Sequence, residues 1–292
     1  MTRKAFLFPG QGSQLSGMGS SLYEAYPDIR YIFDQADEIL GYGIRNLMFY
    51  GAEEELKRTE VTQPAVFVYS YATFKAKVIY SPIAVAGHSL GELTAIVAAE
   101  ALDFEAGLKL VDARARAMQK ACEMTDSTMA AILGLDDEIV RKVCEETPGV
   151  VVAANFNCPG QVVISGERDA VALASEACKT AGAKRALPLP VGGAFHSPLM
   201  APAVDLFAKA IQHTKFRTPV VPIFQNVDGK ASTNADEIKQ KLVNQLTASV
   251  LWTSIIDGMQ NIGVEEYVEF GSKVLGGFVK KLYKEALVTS FE

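Results

Sequence analysis

Hydrophobic residues first cluster at Lys4 to Phe8, a run that stops at Pro9-Gly10-Gln11-Gly12-Ser13. An apolar run of strand length closed by proline and glycine predicts a buried strand and a turn. Apolar positions then recur at helical spacing from Tyr23 to Leu40, and Ala65 to Lys77 reads as an apolar helix. Ile83 to Gly87 predicts a short buried strand. Helical patterns follow over Leu90 to Ala101 and Phe104 to Cys122. Strands alternating with helices predict a mostly parallel sheet with helices on both faces, an α/β fold.

The rhythm then changes. Thr128 to Leu133 predicts a strand, Asp136 to Glu146 a helix, and Val150 to Ala154 and Gln161 to Ser165 two strands around an Asn/Pro/Gly loop. Arg168 to Ala181 is a helix and Arg185 to Leu189 a strand. The order βαββαβ is that of the ferredoxin-like split unit. It predicts a small subdomain, residues 127–195, inserted into a large α/β catalytic subdomain of residues 1–126 and 196–292. Beyond it the pattern gives helix Pro198 to His213, strand Val220 to Phe224, and helices near Ile238 to Leu246 and Thr253 to Asn261. Strand Glu266 to Glu269 and helix Val274 to Tyr283 complete the large subdomain.

Composition narrows the functional classes. With 28 Lys+Arg against 34 Asp+Glu, the net charge of −6 argues against general binding to nucleic acid or anionic membrane. Leu187 to Val204 is free of charged residues but holds four prolines, so a membrane helix is excluded there. The apolar run Ala5 to Phe8 is too short for a signal-peptide core, and the expectation is a cytoplasmic protein. Cys122, Cys144, Cys158 and Cys178 form no CxxC pair and read as reduced, mostly buried thiols. No phosphate-binding loop or complete dinucleotide fingerprint is present, so no nucleotide, metal or bound redox cofactor is expected.

The candidate chemistry lies at Gly87-His88-Ser89-Leu90-Gly91, a GxSxG elbow between a buried strand and an amphipathic helix. The small residues leave room for the sharp turn that exposes the serine hydroxyl. The helix start supplies N–H groups where negative charge develops, and the elbow rule assigns one to Leu90. A serine at its free pKa needs a base. Among three histidines, His88 adjoins Ser89, where neighbouring side chains diverge, and His213 reads as a helix-end residue. His196 falls at the junction between subdomains, a common place for a cleft, and is the candidate base.

With these residues in hand, the chain resembles the bacterial malonyl-CoA:acyl carrier protein transacylases over nearly its whole length. Phe8 to Gln14 is similar to the family's FPGQGSQ segment, Gly87 to Glu92 to GHSLGE, Asn155 to Gln161 to its NxNxPGQ loop, and Gly193 to His196 to GAFH. Arg114 and Asn226 fall where the family has an arginine and an asparagine. The resemblance implies malonyl transfer from a coenzyme A thioester to acyl carrier protein through an ester on Ser89, with His196 as base. The Gln11 and Leu90 N–H groups would hold the oxyanion, and Arg114 would bind the malonyl carboxylate. Asn155 and Phe195 are implied in substrate binding, with Leu90 and Phe195 favouring malonyl over methylmalonyl. Leu251 stands where a family glutamine orients the histidine by its backbone carbonyl. Lys179, Lys184, Arg185, Lys273, Lys280 and Lys281 are candidates for docking the acidic carrier. A monomer is expected. Two alternatives stay open: a serine hydrolase, and an inactive module that binds carrier protein. The pathway, fatty acid or polyketide, is also open.

Overall fold

The computed structural model describes residues 2–292. Its strands are β1 (Lys4–Phe8), β2 (Ala84–Gly87), β3 (Ser127–Leu133), β4 (Val151–Cys158), β5 (Gln161–Glu167), β6 (Arg185–Pro188), β7 (Ile223–Phe224), β8 (Ala231–Ser232), β9 (Glu266–Phe270) and β10 (Leu287–Phe291). Among the described residues they form two sheets. The larger has the order β10-β9-β1-β2-β7-β8. Its neighbours are parallel except β7 and β8. Central strands β1 and β2 are buried on both faces after Lys4, which is why they read as continuous apolar runs. Phe6, Phe8, Phe33, Phe67 and Phe270 fill the core on one face. Leu7, Trp252, Ile255, Ile256 and Tyr267 fill it on the other.

The smaller sheet, β4-β5-β3-β6, is antiparallel throughout. Each of its two βαβ units is split by a strand of the other, the arrangement expected from the sequence. Helices Asp137–Glu146 and Arg168–Thr180 bring Val140, Cys144, Val171, Ala174 and Cys178 against Ile132 and Ile164 to make a separate core. The four cysteines are free, three of them buried. No helix among the described residues is long and apolar enough to cross a membrane.

Several elements depart from the sequence pattern for local reasons. The helix read over Tyr23 to Leu40 is broken into Ser20–Ala25, a 3-10 turn Pro27–Ile29, and Arg30–Leu40. Pro27 pushes Tyr26 out of the helical region. The helix read from Ala65 begins earlier, at Thr59, and contains Pro64. The Glu60 carbonyl, which Pro64 cannot serve, accepts from the Tyr42 hydroxyl at 3.4 Å. The strand read over Val220 to Phe224 contracts to two residues because Pro222 has no N–H for a ladder. The edge strand β10 was not expected. None of its residues is fully buried, so no apolar alternation marks it.

The turn after β2 is set by backbone contact. A Cβ on Gly87 would lie 1.9 Å from the Gly91 carbonyl carbon, and one on Gly91 would lie 2.1 Å from the Phe8 carbonyl oxygen. Neither atom is the movable end of a side chain. We therefore predict that Gly91→Ala lowers unfolding free energy by at least about 2 kcal/mol, read from the urea midpoint. A midpoint unchanged from the parent would contradict this packing.

Candidate active site

Ligand sites of open parallel sheets lie beyond the carboxyl ends of the strands. Here β1, β2 and β7 are neighbours, and each leads at that end into a candidate residue: Gln11, Ser89 and Asn226. The helix Gly91–Ala98 follows β2 directly, so Ser89 is caught in the turn with φ 53. His196, in the segment that returns from the small sheet, also has positive φ, 58. Left-handed backbone at two non-glycine residues costs about 1–3 kcal/mol each and is retained only where surrounding contacts enforce it.

Those contacts can be followed atom by atom. Ser89 Oγ lies 2.7 Å from His196 Nε2, and His196 Nδ1 donates to the Gln245 carbonyl at 2.9 Å. Nε2 is thereby left as the acceptor for the serine proton. Asn226 braces the elbow from both sides, with Oδ1 accepting from the Ser89 N–H at 2.6 Å and Nδ2 donating to the Gly87 carbonyl at 2.7 Å. The Phe195 carbonyl accepts from Ser165 Oγ at 2.7 Å, which ties the histidine segment to β5.

Arg114 is 1% exposed on the helix Phe104–Cys122, and its Nη2 donates to Ser89 Oγ at 3.3 Å. The other guanidinium contacts are neutral amide oxygens: Gln63 Oε1 at 2.7 Å and Gln245 Oε1 at 2.9 Å. Nε has no partner among the described residues. Nε and Nη2 share one edge of the planar group, the edge that offers a carboxylate two parallel donors. A buried guanidinium beside the serine, holding a spare donor, is arranged to receive an anion.

Burial sets the electrostatics. It lowers the His196 pKa to about 3, helped by the Arg114 charge and opposed by the Gln245 carbonyl. It lowers Arg114 to about 10, opposed by the Glu92 charge. His88 points away from Ser89, with Nε2 2.8 Å from Asn157 Oδ1 and its ring against Trp252, and desolvation holds its pKa at about 4. His213 sits at an exposed helix end, bonded to the Lys209 carbonyl.

A cavity of about 240 Å³ opens between the Pro9–Ser13 loop and the small sheet, lined by Gln11, His88, Asn155, Asn157, Leu275 and Phe278 among others. The Gln11 side chain reaches Thr59 Oγ1 at 3.4 Å. No acceptor takes the backbone N–H of Gln11 or Leu90 among the described residues. Asn155 Oδ1 is buried at the cavity with no partner among the described residues. A larger cavity of about 580 Å³ adjoins it around Leu15, Met18 and Lys273, away from Ser89 and His196.

One expectation needs correction. Leu251 does not orient His196: its N–H donates to the Asn226 carbonyl, and its own carbonyl caps the helix Trp252–Asn261 through Ile255. The histidine's carbonyl comes from Gln245, a glutamine after all, so the departure expected at this point disappears. Gln63 and Gln245 were both missed as arginine partners. Each left a signal in the sequence as a polar residue on an apolar face. Gln63 is four before Phe67, and Gln245 is three after Leu242 and seven after Ile238.

A family model for the acyl transferase domain matches residues 5–265. The chain is 45% identical over 288 residues to the malonyl CoA-acyl carrier protein transacylase of Escherichia coli strain K12, spanning 97% of this chain and 93% of that protein. It is 44% identical over 289 residues to the Bacillus subtilis strain 168 protein of the same name, spanning 97% and 91%. Among solved structures, the malonyl CoA-acyl carrier protein transacylase of Coxiella burnetii matches with TM-score 0.96 and 37% identity, covering 99% of this chain and 93% of that one. A malonyl-transacylase in complex with a type II PKS acyl-carrier protein matches with TM-score 0.94 and 40% identity, covering 99% and 95%. By class, then, the protein is an acyltransferase. Within that class the chain belongs to the malonyl CoA-acyl carrier protein transacylase family.

The depressed histidines predict two pH effects. The unfolded chain takes up protons near the ordinary value of 6.5, whereas folded His88 and His196 refuse them until about 4 and 3. The unfolded state therefore binds more protons on the acid side, and stability falls as pH drops below about 6.5. By contrast, kcat/KM, which reports the free enzyme, stays level down to about pH 5 because Nε2 remains unprotonated. A kinetic limb near 6.5 would show that the histidine is not held neutral.

Proposed function

We propose that this protein transfers a malonyl group from coenzyme A to the phosphopantetheine thiol of an acyl carrier protein, through an ester on Ser89, to supply fatty acid synthesis. One observation carries the reading: a buried guanidinium 3.3 Å from a serine hydroxyl that is itself 2.7 Å from a neutral histidine.

In the first half-reaction His196 Nε2 takes the proton of Ser89 Oγ as the oxygen bonds to the thioester carbonyl carbon. The Gln11 and Leu90 N–H groups face the resulting oxyanion. The carbon–sulfur bond then breaks, and the coenzyme A sulfur leaves with the proton from His196. The second half-reaction runs the same steps in reverse with the carrier thiol. Arg114 pairs with the malonyl carboxylate through its Nε and Nη2 edge. That pairing offsets the positive charge that lowers the His196 pKa, so the fitting acyl group also strengthens the base. Acetyl cannot do this and leaves a desolvated cation unmatched.

The 240 Å³ cavity is the proposed path of the pantetheine arm, with the unpartnered Asn155 Oδ1 as acceptor for an arm amide N–H. Residues 127–195 act as an inserted subdomain that supplies one wall of this path, with Phe195 and Leu90 bounding the acyl end. Lys281, which donates to Gln161 Oε1 at 2.8 Å, and nearby Lys280 and Arg185 offer positive charge to an acidic carrier. No bound cofactor enters the scheme. The match to a transacylase in complex with a type II PKS carrier favours a second reading, in which the same chemistry serves a polyketide-type carrier.

Intact mass after brief mixing with malonyl-CoA tests the scheme. The expected result is a malonyl adduct that passes to phosphopantetheinylated carrier, and no adduct in Ser89→Ala. An adduct lost only to water would indicate a hydrolase. Arg114→Ala should slow malonyl transfer roughly 100-fold more than acetyl transfer, since charged hydrogen bonds are worth about 1.5–3 kcal/mol. Equal losses for the two acyl groups would remove the carboxylate role.

A further inference from the structure

The steps above leave a buried carboxyl group without a task. Glu92 is fully buried on the first turn of Gly91–Ala98. Its Oε2 accepts from the Asn226 backbone N–H at 2.8 Å and its Oε1 from Gln225 Nε2 at 3.1 Å. Both partners donate to it, and burial holds the carboxyl group above the usual carboxylate range, opposed by those hydrogen bonds. Neither donor is a cation. Burying a carboxyl group is costly, and the question is what it holds.

It holds Asn226, whose side chain is fully committed to the elbow through Ser89 N–H and the Gly87 carbonyl. Gln245 Nε2 joins the same network at the Ser89 carbonyl, 3.1 Å, and at Asn226 Oδ1, 3.4 Å. Gln245 in turn carries the acceptors for His196 and Arg114. Glu92 is thus the buried anchor at the far end of a chain that reaches every reacting group of the proposed site.

We propose that Glu92 is a positioning residue: its buried carboxyl group fixes Asn226, and Asn226 holds Ser89 in the left-handed backbone that aims Oγ at His196. The proposal rests on Ser89 as nucleophile of the acyl transfer above. Glu92→Gln keeps the shape but turns an N–H₂ toward a donor. Glu92→Asp keeps the carboxyl group but falls one methylene short.

The test uses the full-length chain and two readouts: single-turnover acylation by malonyl-CoA, and the rate at which an uncharged fluorophosphonate labels Ser89. Melting curves confirm that each variant is folded at the assay temperature. Both rates should fall about 10- to 100-fold in either variant, as a small misplacement of a reacting atom does, with the loss in kcat rather than KM. A folded variant with both rates unchanged overturns the proposal. So does a loss confined to malonyl-CoA, which would mean that Glu92 acts on Arg114 alone. Failure of both variants to fold would assign the carboxylate to stability and also overturn it. Labelling of the parent by fluorophosphonate but not by malonyl-CoA would sink the proposed substrate, and the variant comparison would still decide the role of Glu92.

Discussion

A serine can be held at φ 53 only if the chain on either side has nowhere else to go, and that constraint organises the site. Gly87 and Gly91 approach each other and the end of β1 so closely that no side chain fits at either position. The His88 N–H is tied to the Phe8 carbonyl at 2.9 Å, which locks the turn to the neighbouring strand. Because β1, β2 and β7 are adjacent and parallel, the same geometry that forms the turn delivers the Pro9–Ser13 loop to one side of Ser89 and Asn226 to the other. The sheet acts as the jig, and the residues beyond its carboxyl end need only be the right types.

The second constraint is electrostatic. Arg114 is buried in contact with amide oxygens and a hydroxyl, not with a carboxylate. Amide dipoles satisfy the guanidinium without cancelling its charge, so a positive potential remains at the serine. With burial as the larger cause, that potential helps keep His196 neutral. Under the proposed reaction, charge recognition and base strength are one coupled property, because the group that neutralises Arg114 also releases His196 from its influence.

Local pattern carried much of this, and tertiary contact carried the rest. The two sheets, the elbow at Ser89 and the histidine at the subdomain return were legible, because a buried strand, a glycine pair and a change of rhythm are all local signals. Arg114 was not legible from pattern: a helix arginine beside Arg116 reads as solvated, and only resemblance singled it out. In the structure Arg116 does pair with Asp112, one turn back at the surface, while Arg114, two residues away, faces the interior. Gln245 was passed over because the work of its backbone carbonyl depends on where the chain lies rather than on residue type, and Leu251 was given that place. Gln63 lay before the expected helix start at Ala65. Proline at a helix entrance is the ordinary reading of Pro64, and only the distant Tyr42 hydroxyl makes the longer helix tolerable.

The partner of His196 bears on why such a site transfers rather than hydrolyses. In the hydrolase reading a carboxylate would stand behind the histidine and stabilise the imidazolium. Here the Nδ1 partner is a carbonyl, and burial leaves a base with pKa about 3. Even after an acyl carboxylate offsets the Arg114 charge, burial keeps His196 a weak base and so poorly matched to water, whose pKa is about 15.7. A thiol, with pKa about 8.5, gives up its proton far more readily and is intrinsically the better nucleophile. The same base must also take the proton of the Ser89 hydroxyl, where the short contact to Nε2 and the N–H groups facing the oxyanion have to make up for its weakness. In the second half-reaction the thiol is the acceptor that asks less of His196, and that difference favours delivery to a thiol over loss to water.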